Sequence, residues 1–155
     1  MILKEEPEAD AAFQWEANQK LEKLQSTFGA KIPDYFGGGY IDEKGDLVIN
    51  IKGDLKSGKS KILKIIDGEN VHFTSKKFSK AQLNEVMDKL NTFYNNPANK
   101  KMLDNFIGAS LKEIENFVEV ELFDISPEKQ QEFRMKVVNS EALRFKKGKG
   151  RMVNQ

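Results

Sequence analysis

The chain has no cysteine, one histidine, one tryptophan and four prolines in 155 residues. Without cysteine there is no disulfide, no thiolate nucleophile and no Cys-based zinc site. A lone histidine, His72, argues against a transition-metal site as well, so neither metal nor cofactor is expected. An excess of either charge is also missing: 25 basic residues face 24 acidic ones, for a formal net charge of +1. Dedicated nucleic-acid binders carry a clear basic surplus, so nucleic acid is not an expected partner. No apolar run reaches membrane length, and Met1-Ile2-Leu3 followed by Lys4-Glu5-Glu6 contains no signal-peptide core. As given, the sequence reads as a soluble cytoplasmic chain, or as a secreted one if a signal once preceded it.

What is present suits a folded domain. Hydrophobic residues make up 39% and charged residues 32%, a wet composition, but eleven Phe provide core mass. The length fits one domain, or two small subdomains sharing a core. The reading adopted is a single domain over 1–155: an N-terminal helix (1–28), an α+β core (29–145) and a basic mobile tail (146–155).

Phe13, Ala17, Leu21, Leu24 and Phe28 recur at helical spacing, predicting an amphipathic helix over 8–28 that stops at Gly29. Trp15 lies off this stripe and is expected to be covered by a neighbouring element. Tyr40 to Ile51 reads as a β-hairpin, with Gly45 in its turn and Leu47, Ile49 and Ile51 on one face. Gly37, Gly38 and Gly39 are expected to admit a close neighbour rather than to form a stable strand. Residues 61–68 form a short helix or a strand, and Val71 and Phe73 alternate in a further strand. Ser79 opens a helix carrying Leu83, Val86, Leu90 and Tyr94. Asn96-Pro97 predicts a second helix with Met102, Leu103, Phe106 and Ile107 on one side, ended by Gly108. Residues 117–123 are an amphipathic strand; 109–114 read either as its hairpin partner with Glu115-Asn116 the turn, the reading preferred, or as a helical turn capped by Ser110 with Glu113. Ser126-Pro127 caps a helix bearing Phe133, Val137 and Val138, and Leu143 and Phe145 alternate in a last strand. No internal repeat is evident. The fold class expected is α+β, with small antiparallel hairpin-based sheets packed against amphipathic helices.

Three patterns could carry chemistry. Gly53-Asp54-Leu55-Lys56-Ser57-Gly58-Lys59-Ser60 matches the phosphate-loop pattern G-x-x-x-x-G-K-[ST], with Lys59 and Ser60 in the phosphate and magnesium positions. Against it, the preceding strand carries Asn50 and Lys52, and no second apolar strand ends in a metal-binding Asp. His72 lies between Val71 and Phe73 with no G-x-S-x-G elbow in the chain, and reads as a structural residue on a polar strand face. The pairs Glu5-Glu6, Asp42-Glu43, Glu113 with Glu115, and Glu119 with Glu121 read as solvated, with Lys or Arg across the sheet pairing the last of them. No catalytic residue is assigned.

Phe36 to Ile49, FGGGYIDEKGDLVI, resembles the opening hairpin of the pro-region domain of alpha-lytic-type bacterial serine protease precursors. Leu21 to Phe28, Ile32 to Phe36, Phe78 to Leu83, Val118 to Leu122 and Phe133 to Phe145 are similar to its successive segments, so the likeness spans roughly residues 21–147. It implies an α+β domain that binds a chymotrypsin-like protease, assists its folding or inhibits it, through a sheet edge and a C-terminal segment. Carried onto this sequence, that segment is Leu143, Arg144, Phe145, Lys146 and Lys147, with the tail to Arg151. The expectation is therefore a non-enzymatic interaction domain acting in trans. The alternatives are a P-loop-like nucleotide binder using Gly53–Ser60 and an accessory structural domain.

Overall fold

The computed structural model describes residues 8–148, with side chains described from Gln14 onward. The fold is α+β: α1 (Glu8–Phe28), β1 (Phe36–Ile41), β2 (Leu47–Lys52), α2 (Leu55–Ile62), β3 (Val71–Lys76), α3 (Lys80–Tyr94), β4 (Phe106–Lys112), β5 (Phe117–Leu122), α4 (Pro127–Lys136) and β6 (Leu143–Lys147). The chain separates into two compact units, residues 1–81 and 82–155. Each carries a three-stranded sheet, ordered β1-β2-β3 in the first and β4-β5-β6 in the second. In both, an antiparallel hairpin is followed by a helix and then by a third strand parallel to the second. The sheets are thus mixed rather than purely antiparallel. A helix crossover returns the chain to its starting end, so the third strand runs parallel. The order helix, hairpin, helix, strand recurs in both units, a structural repeat that the sequence does not display.

In the first unit α1 forms where the periodicity places it. Ala17 and Leu24 are buried, and Leu21 and Phe28 pack against the same core as Leu47, Ile49 and Ile51 of β2. Gly29 ends the helix with φ +59, and its N–H donates to the Gln25 carbonyl at 2.9 Å. Phe13 lies among residues whose side chains are not described. Trp15 does not find the cover expected of it: it is 64% exposed, because a position off the apolar stripe faces away from the sheet. The glycines do lie in a strand, against expectation, and also admit close neighbours. A Cβ at Gly39 would sit 3.1 Å from Leu21 Cδ1 and 3.2 Å from Ile49 Cδ1. The Asp42–Asp46 turn closes with Gly45 at φ +86.

In the second unit α3 buries Leu83, Val86 and Leu90. Asn96 does cap a turn, its side chain accepting from the Ala98 N–H, but only 3-10 turns follow at Pro97–Asn99 and Met102–Asn105. The helix predicted to run to Gly108 is absent. Phe106 to Lys112 is strand β4 instead, an edge strand whose inward-facing backbone groups pair with β5, with a register irregularity between Phe106 and Gly108. The 112–117 turn forms as expected, with Asn116 at φ +66. Ser126 caps α4 through the Lys129 N–H, and α4 stops at Lys136, before Val137 and Val138. Its one buried residue, Phe133, stacks over Phe106 and meets Phe145 edge-on at 5.5 Å.

A candidate protein-binding edge

The residues singled out near the C-terminus form β6. Lys146 and Lys147, expected in a mobile tail, are strand residues; the tail beyond Gly148 lies outside the described residues. β6 pairs in parallel with β5, Leu143 opposite Val118 and Lys147 opposite Leu122. Leu143 and Val118 are buried, and Phe145 turns toward the same side, under Phe133. Burying side chains of this size stabilises the unit by about 1.5–3 kcal/mol each. Arg144 and Lys146 project from the opposite face, in register with Glu119 and Glu121. Lys112 approaches Glu119 at 3.7 Å, and the Arg144 guanidinium lies 5.4 Å from the Phe117 ring centroid. The glutamates therefore have cations beside them, as strand alternation implied.

The backbone of β6 has two sides. The Val118 N–H donates to the Ala142 carbonyl and the Gly148 N–H to the Leu122 carbonyl, both at 2.9 Å. Alternate residues of a parallel strand serve the same neighbour, so the even-numbered residues face β5. Leu143, Phe145 and Lys147 then turn their main-chain groups the other way. Leu143 is locally satisfied, its N–H donating to the Ser140 carbonyl and its own carbonyl accepting from Arg144 Nη1. Beyond it, Phe145 and Lys147 present their N–H and C=O groups on an edge that no strand among the described residues extends.

The other sequence candidates take ordinary roles. Within Gly53–Ser60, the residues from Leu55 onward are helix rather than loop. Asp54 caps α2 by accepting from the Ser57 N–H at 2.8 Å, and the Gly58 N–H is spent on the Asp54 carbonyl. Two of the amides that would cradle a phosphate, those of Ser57 and Gly58, are thus committed to Asp54. Gly58 is needed for packing: a Cβ there would fall 2.5 Å from Ile51 Cγ2. Lys59 lies over the Phe73 ring and Lys61 over Tyr35. His72 is exposed on β3 and bonds to Asp46 Oδ2 through Nε2 at 2.8 Å, a contact that sequence spacing did not reveal. A cavity of about 770 Å³ in the second unit is lined mainly by Phe93, Met102, Phe106, Phe133 and Val137, with Glu132 among its polar groups. Lys129 and Lys136 both approach Glu132, at 3.6 and 3.4 Å.

Among titratable groups, the Asp124 carboxyl is held below its usual range, first by the Ser126 backbone N–H that it accepts. Asp67 is lowered similarly, first by the Glu69 backbone N–H and then by Lys20. Burial raises Tyr35.

Family comparison divides the chain where the contacts do. A Pro-like N-terminal domain matches residues 3–78 and a Pro-like C-terminal domain matches residues 81–148. The chain belongs to the Pro-like family. The Pro-like N-terminal domain holds α1 to β3, and the Pro-like C-terminal domain holds almost all of α3 onward, including β6. This membership agrees with the pro-region resemblance of the sequence. No curated protein matches the Pro-like chain significantly.

Proposed function

We propose that this Pro-like protein is a non-enzymatic binding protein whose partner is a bacterial serine protease of the chymotrypsin-like class, acting in trans as inhibitor or folding assistant. The observation that supports this reading is the outer edge of β6, where Phe145 and Lys147 offer main-chain donors and acceptors with no strand among the described residues beyond them. An extended segment of a partner can continue the sheet there, its affinity coming from main-chain hydrogen bonds and its selectivity from neighbouring side chains. Arg144 and Lys146 supply exposed positive charge beside that edge, which steers an acidic approach surface.

The test is inhibition of an alpha-lytic-type protease by the purified chain, alongside refolding of the denatured protease in its presence. Lys147→Pro is the diagnostic variant. The Lys147 N–H faces off the sheet, so proline removes the edge donor while the ladder to β5 stays intact. Saturable inhibition that weakens about tenfold in Lys147→Pro is expected, since one hydrogen bond and the fit of an added strand are lost together. Equal inhibition by both chains, or no binding to any of several such proteases, refutes the proposal.

A further inference from the structure

Asp42, Asp46 and His72 in the first unit each offer a ligand atom, and these atoms all lie within 4.8 Å of one another. We infer that they form a site for a first-row divalent cation such as Zn²⁺ or Mn²⁺, with two carboxylates and one imidazole as ligands and water in the remaining positions. The inference is independent of the β6 edge.

The three side chains come from two separate elements. Asp42 and Asp46 flank the β1–β2 turn, whereas His72 is brought beside them by the parallel register that sets it opposite Val48. Asp42 is already oriented, because its Oδ1 accepts the Lys44 and Asp46 N–H groups, both at 2.9 Å. The Asp46 side chain is 17% exposed and the His72 side chain 56%. The carboxylate is thus shielded from water on one side, while the imidazole side stays open to an arriving ion.

Charge and spacing both suit such an ion. Two carboxylates offset a divalent charge, and an imidazole with carboxylates is a borderline donor set favouring first-row metals. With metal–ligand bonds of about 2.1 Å, ligands at right angles are about 3.0 Å apart. His72 Nε2 and Asp46 Oδ2 stand 2.8 Å apart, so the pair has little distance to travel. Counting histidines and cysteines argues against metal in this chain. The fold adds two carboxylates to the one imidazole, which the count leaves out.

His72 is the sole histidine, so its ring protons give one assignable pair of NMR signals in the untagged full-length chain. Zn²⁺ is expected to shift that pair saturably, Mn²⁺ to broaden it, and either ion to raise the unfolding temperature. Asp46→Asn should weaken the apparent affinity by about tenfold or more. Signals unmoved by both ions overturn the site and leave an ordinary Asp–His hydrogen bond. A response unchanged in the Asp42→Asn, Asp46→Asn double variant overturns it equally, because the ion then rests on the imidazole alone. His72→Gln, at an exposed position, is the control for the thermal shift.

Discussion

Gly58→Ala separates two explanations of the glycine in the phosphate-loop pattern. In an exposed helix interior this substitution stabilises by about 1 kcal/mol, the difference in helix propensity. Here the added Cβ would lie 2.5 Å from Ile51 Cγ2 and 3.0 Å from its Cδ1. An unstrained carbon–carbon contact is about 3.5–4.0 Å, so α2 or Ile51 must move by about an ångström. Ile51 is fully buried at 0% exposure, so in a close-packed core it yields only by displacing its neighbours. Overpacking of this kind costs about 1–3 kcal/mol, which exceeds the propensity gain across most of that range. The expected net result is destabilisation by about 1 kcal/mol. Urea unfolding followed by far-ultraviolet circular dichroism reads it as a lower midpoint at unchanged slope. A variant more stable than the parent chain would refute the packing account of Gly58.

Asp54→Ala removes the α2 cap and should cost about 1 kcal/mol, read as a lower urea midpoint; an unchanged midpoint would show the cap to be dispensable. Gly37→Ala places a Cβ 3.1 Å from the Asn50 and Phe78 carbonyl oxygens. Backbone cannot yield as a side chain can, so a loss of about 1–3 kcal/mol is expected in the same assay. Asp124 has its folded carboxyl pKa depressed, first by the Ser126 N–H. Its contribution is therefore present above the unfolded carboxylate value of about 4 and fades as pH falls through the lower folded value. Asp124→Asn should flatten that acid limb in thermal scans taken across it, and an unaltered limb would assign the loss to other carboxylates.

What could be read from the sequence was periodic and local. The α1 stripe, the Gly45 turn and the alternation of Val118, Val120 and Leu122 each follow from one repeating contact with a core. The elements missed depend on partners distant in the chain. Phe106 and Ile107 follow an Asn-Pro cap and read as helix until β5 is beside them. α2 is rich in lysine and serine, and its glycine and lysine mimic a phosphate loop, so its true start at Leu55 was hidden. Trp15 was expected to be covered because large aromatics usually are, yet its angular position on α1 decides otherwise. Leu143 to Lys147 were placed together by resemblance, but which of their main-chain groups face outward follows from the register with β5. The Asp46–His72 contact likewise requires β3 to lie parallel to β2, and no local pattern encodes that.

The position of β6 after a helix crossover bears on the order of assembly. The β4–β5 hairpin closes over a short turn, whereas β6 reaches β5 only after α4 and its flanking segments close a much longer loop. Short-range closure precedes long-range closure, so there is a stage at which β5 is itself an unpaired edge. That edge bears Val118, Val120 and Leu122, whereas the finished edge bears Phe145 and Lys147 beside charged neighbours. An extended segment present during folding competes with β6 for β5 itself. The timing of α4 docking therefore sets whether the chain completes its own sheet or is trapped on a foreign strand.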